Sequence, residues 1–159
     1  MSTDVQSVTR PPSSVKFGRF CQSVLLLLIR IYFFWQVFKI GLAKLENIAT
    51  PIGFFTKLGI PYPEINAWVV GCTECFGGIL IVAGLASRLA AIPLVISMAV
   101  AYWVADRNAV LNIWGHPDKF ISAAEFPFFL AALIVLCFGP GWFSLDAIFG
   151  RLFRRKREE

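Results

Sequence analysis

A chain of 159 residues that is 57% hydrophobic and only 16% charged is too apolar for an ordinary soluble domain. Its net charge of +5 does not signal a nucleic-acid surface, because Arg151, Arg154, Arg155, Lys156 and Arg157 stand together at the C-terminus, a pattern that faces anionic lipid. The apolar residues come in long runs, so the solvent for most of the chain is lipid.

In chain order, residues 1–15 are polar, carry a Pro-Pro pair and read as a disordered cytoplasmic lead-in. A membrane domain follows over 16–148, with predicted spans at about 20–45, 65–86, 89–105 and 121–138. Each comes near the ~20 residues that cross ~30 Å of hydrocarbon. The first run is too long for a signal peptide, carries Arg30 and Lys39, and lacks a small-residue cleavage pattern. Pro93 and Pro127 fall inside spans, where membrane helices tolerate them as kinks. Between the first two spans, Thr50 as N-cap, Pro51 at the first helical position and Gly59 as a stop predict a short helix. Its Phe54, Phe55 and Leu58 would rest in the outer interface. Residues 149–159 are a basic cytoplasmic tail. The expected fold is all-α: an integral-membrane four-helix bundle.

Orientation follows from the basic residues between spans. Arg10, Lys16, Arg19, Arg88 and the five tail residues share one side, against Lys57, Arg107 and Lys119 with Lys44 at the edge of the other. The richer side is cytoplasmic, so both termini lie inside and the chain is a multi-pass protein of a bacterial inner membrane. Trp68, Trp103, Trp114 and Trp142 fall near span ends, as an aromatic belt requires.

Ionisable residues at membrane depth are candidates for function. Arg30, Phe34, Val37, Gly41 and Lys44 recur at helical spacing on one face of the first span, which must therefore look into the bundle. Glu74, in the second span, sits at a depth comparable with Arg30 and is its expected partner; Glu125, at the outer end of the fourth, is the expected partner of Lys44. Such pairs serve either as bolts that fix helix register or as a polar centre that binds a ligand, and Ser122-Ala-Ala-Glu125 also reads as a capping box. Lys39 lies on the opposite face and snorkels. Cys72-Thr-Glu-Cys75 would bring two thiols to neighbouring ridges, for redox or metal chemistry or simply for packing. Cys21 and Cys137 read as packing residues, and Gly71, Cys75 and Gly78 make a small-residue strip for close helix contact. His116 is the only histidine, which excludes a bis-histidine haem.

Several of these segments resemble the DoxX family: Arg30 followed by Gly41-Leu-Ala-Lys44-Leu, Phe54-Phe55 with Leu58-Gly59-Ile60-Pro61, and Gly71…Glu74…Gly77-Gly78. Gly84-Leu85-Ala86-Ser87-Arg88-Leu89 and Gly139-Pro140-Gly141 with Ser144-Leu145-Asp146 extend the likeness over about residues 25–148. The Cys72/Cys75 pair and Lys39 depart from it. The resemblance implies a membrane subunit of a redox complex, working with the quinone pool or with sulfur and oxidative-stress chemistry through a protein partner. A non-enzymatic anchor, assembly factor or chaperone is the alternative, and copper handling through Cys72 and Cys75 a lesser one. The expected partners are the bilayer, a redox or client protein and a second copy of the chain, with no nucleic acid. Arg30, Lys44, Glu74 and Glu125 are the ligand-binding candidates, and a quinone is the ligand the resemblance suggests. No flavin, haem or iron–sulfur motif is legible, so a partner would bring the electrons.

Overall fold

The apolar runs fold into helices over the residues that the computed structural model describes, 13–115 and 117–146, with side chains described from Phe17 onward. In order these are α1 (Ser13–Glu46), α2 (Ala49–Lys57), α3 (Pro63–Ala83), α4 (Ser87–Ala105), α5 (Arg107–Leu111), α6 (Pro117–Ile121) and α7 (Phe126–Phe138), and the described residues hold no strand. Most of the polar lead-in, His116 and the basic tail lie outside the described residues. Segments Phe17–Glu46, Pro63–Ala83 and Ser87–Ala105 are long and apolar enough to cross a membrane. Leu28, Phe76, Leu89 and Ile96 stay more than half exposed on their outward faces. An apolar outward face is what a lipid-bathed helix presents, because its backbone groups are satisfied internally.

The run expected as a fourth span, 121–138, is broken between the end of α6 at Ile121 and the start of α7 at Phe126, and the 13 residues of α7 cover about 20 Å. The break has a local cause. Ser122 Oγ turns back to donate to the Lys119 carbonyl, so it does not cap α7, and Glu125 occupies the N-cap position without a capping hydrogen bond. The capping box is not formed. Pro127 stands in the first turn of α7 rather than inside a span, where its missing N–H costs nothing. The same kind of shift affects α2: Ile48 is its cap and Thr50 lies within its first turn. Its end behaves as expected, with Gly59 at φ +69° and the amide of Ile60 donating to the Phe55 carbonyl at 3.0 Å.

Helix α1 packs antiparallel on α3 in a register set by small residues. Gly41 lies directly against the backbone of Cys75 and Glu74; a Cβ there would stand 2.8 Å from the Glu74 Cβ. Gly78 meets the α1 backbone at Phe34 and Phe38, and Gly71 meets the Leu45 side chain. Close backbone approach of this kind, rather than apolar burial, is what joins helices in lipid. The expected inward face holds, with Arg30, Phe34 and Val37 at 1–2% exposure and Gly41 buried. On the other side of the core, Ala90, Ala91, Ala131 and Ala132 bring α4 and α7 together around Leu94 and Val135.

Candidate functional site

The buried charges form two separate centres. At the end where α3 turns into α4, Arg30 spends its guanidinium on main-chain carbonyls. Nε donates to Ile81 (2.8 Å), Nη2 to Val82 (3.0 Å), and Nη1 to both Pro140 (2.5 Å) and Phe143 (3.1 Å). Ile81 and Val82 end α3, where carbonyls lack helical partners and the helix dipole is negative, so a cation is doubly favoured. Gly84 completes this knot: it holds φ +74°, and a side chain there would collide with the Arg30 guanidinium. Asp146 then bridges the turn. Its amide donates to the Gly84 carbonyl (3.0 Å), and its carboxylate accepts from the amides of Ala86 (2.9 Å) and Ser87 (3.4 Å), capping α4 from sixty residues away.

At the opposite end of the bundle, Lys44 Nζ donates to both oxygens of Glu74 at 2.7 Å. The carboxylate side chain is 5% exposed and the lysine 29%. Both expected pairings are therefore corrected. Glu74 partners Lys44, not Arg30, and Glu125 does not close a pair with Lys44. Depth counted within each apolar run misled here, because α1 starts well before α3 ends and the two helices are offset. Arg30 meets residues 81 and 82, roughly 10–12 Å along α3 from Glu74.

Lys44 and Glu74 form the floor of a cavity of about 390 Å³, which Glu125 also lines and which α2 covers with Pro51, Phe54 and Phe55. Of its lining residues Thr50, Phe54, Leu58, Val100 and Ala105 are themselves exposed on the protein surface, so the mouth is mostly apolar. Oε2 of Glu125 is buried and has no hydrogen-bond partner. Arg30 does not reach this cavity.

Sequence reasoning missed three contributors. Tyr102 stacks on Phe120 with ring centroids 4.9 Å apart and donates its hydroxyl to the Phe120 carbonyl at 2.8 Å, which ties the segment leading to Glu125 against α4. Its signal was a tyrosine inside an apolar run, where the hydroxyl needs a partner. Asn66 lines the cavity and donates to the Pro61 carbonyl at 2.6 Å. Asp146 was visible only as part of a familiar segment.

The cysteines are free thiols. Cys75 is buried where its backbone meets Gly41, and Cys72 is half-buried. Among the described residues no three His, Cys, Asp or Glu side chains converge on a metal position. Lys39 is exposed.

The DoxX family model matches residues 25–107, a stretch that contains Arg30, Lys44 and Glu74 and ends before Glu125 and Asp146. The uncharacterized membrane protein Rv3486 of Mycobacterium tuberculosis is 31% identical over 102 residues, covering 59% of this chain and 61% of the relative. The chain thus spans about three fifths of the length of the curated relative it matches. No solved structure matches.

Proposed function

Since the chain belongs to the DoxX family, we propose that it is the membrane subunit of a redox complex, and that the cavity beneath α2 receives a quinone headgroup. The observation that carries this reading is the cavity itself: a mostly apolar mouth, aromatic cover and an ion pair at the floor. A lipid-dissolved ring with an apolar tail would enter sideways past Val100, Phe54 and Leu58, and low dielectric would strengthen its contact with Lys44. The chain binds and orients; electrons reach the ring from a protein partner acting in sulfur or oxidative-stress chemistry.

In this reading α7, together with the turn before it, completes a fourth crossing in the inner membrane. Both termini are cytoplasmic and the α2 end faces outward, as the basic-residue count argues. A C-terminal fusion would then report only as a cytoplasmic reporter; alkaline phosphatase activity from it would reverse the orientation. For the ligand, quinone extracted from the purified protein should approach one molecule per chain. A ratio no higher than that of the surrounding lipid would discard the quinone reading.

The alternative, a non-enzymatic anchor or assembly factor, draws on the knot at Arg30, where a buried cation serves architecture alone. It leaves the cavity without a purpose, and we rank it second.

A further inference from the structure

Where α4 gives way to α5, the bundle holds a second cavity, of about 590 Å³, which the reading above does not use. It shares Val104 and Ala105 with the wall of the first and is lined by Asp106, Arg107 and Lys119. Among the described residues the one ion pair is Lys44–Glu74, so these three charges are not paired with one another. Asp106 stands at the N-cap position of α5, yet its side chain makes no capping hydrogen bond. Arg107 rests instead on the ring of Trp103, with the guanidinium carbon 5.4 Å from the ring centroid. Behind that ring, Val100 and Ile96 continue the same outward face of α4 at helical spacing, and all three apolar side chains are more than half exposed. A cation at the head of an apolar track on a helix long enough to cross a membrane is the surface that a phospholipid meets. The chain follows the track and the phosphate reaches the charge.

The geometry points to a phospholipid headgroup site between α5 and α6. The phosphate sits between Arg107 and Lys119, a headgroup N–H or O–H donates to Asp106, and an acyl chain lies along Trp103, Val100 and Ile96. Two cations and one carboxylate match a headgroup that carries one phosphate and one donor-bearing group. The ammonium of an ethanolamine headgroup supplies that donor. A choline headgroup has the same charge but no N–H, so it forfeits the hydrogen bond to Asp106. One such bond corresponds to roughly fivefold in affinity. The site is independent of the quinone-pool reading, since it uses none of Lys44, Glu74 and Glu125.

The test titrates the full-length protein in mild detergent with phosphatidylethanolamine or phosphatidylcholine of identical acyl chains, and counts retained lipids by native mass spectrometry. Both lipids are neutral overall, so the basic tail favours neither. One phosphatidylethanolamine per chain should be held roughly fivefold more tightly than phosphatidylcholine. Asp106→Ala should lower phosphatidylethanolamine to the level of phosphatidylcholine and leave the latter unchanged. Arg107→Gln with Lys119→Gln should weaken both by about tenfold, because both carry the phosphate. Glycerophosphoethanolamine, the same head without chains, should not displace the lipid at equal concentration. Equal retention of the two lipids by the wild-type protein would overturn the inference, and that comparison needs no variant to fold. A preference that survives Asp106→Ala, or retention untouched by the double variant, would move the lipid to another surface and overturn it as well. Displacement by the chainless head would make the ligand a soluble phosphodiester and overturn its assignment to lipid.

Discussion

The two ends of the bundle each bury a cation contributed by the same face of α1, and they treat it in opposite ways. Arg30 donates to four carbonyls from two separate stretches of chain and is 1% exposed. Lys44 has a single side-chain partner, is 29% exposed and lines the cavity that Glu125 also lines. A cation sealed inside the bundle is architecture; one that lines a cavity is available to a ligand. The difference teaches that depth in the membrane does not by itself mark a functional charge. Access to the cavity separates the two: Lys44 lines it and Arg30 does not.

Variants at the two ends should therefore part company. Arg30→Ala takes a hydrogen bond from each of the Ile81, Val82, Pro140 and Phe143 carbonyls, leaving Ile81 only its bond from the Gly84 amide, and should cost on the order of 3–5 kcal/mol. Denaturation in mixed micelles would read this, and a variant as stable as wild type would break the comparison at its stronger arm. Asp146→Ala removes the two hydrogen bonds that cap α4 and should cost about 1–2 kcal/mol in the same assay, with no change in ligand affinity. Glu74→Gln acts at the other end and should shift stability least, by under about 1 kcal/mol, because Lys44 is partly open and can turn into the cavity. Its effect should appear instead in ligand binding. Loss of stability as large as that of Arg30→Ala would make the Lys44–Glu74 pair a second bolt.

Much of this was legible in the chain. The inward face of α1 followed from spacing alone, since Arg30, Phe34, Val37, Gly41 and Lys44 fall on one side of any helix built over them. The short helix α2 was legible too, because Gly59 and the aromatic pair before it announce it, though not that it would cover a cavity. Partner choice was not. Which glutamate meets which cation depends on the slide of α1 along α3, and that slide is fixed by Gly41 nesting on the Glu74–Cys75 backbone. A glycine announces tolerance of close approach, not what will approach it. The start of α7 was lost to a competition between two local signals. Ser122 with Glu125 suggested one beginning and Pro127 another, and the serine hydroxyl bonded backward to Lys119 instead.

The knot at Arg30 has a consequence for the order in which the protein is made. Two of the carbonyls that receive its guanidinium belong to Pro140 and Phe143, 110 and 113 residues further along the chain. While the first helix is entering the bilayer, those residues have not yet been synthesised, and at ~5–20 residues per second they arrive several seconds later. Until then the charge must be tolerated by water, by headgroups or by the end of α3. A helix made early is thus secured late, and a ribosome that stops short of residue 140 releases a chain whose Arg30 is held by the end of α3 alone.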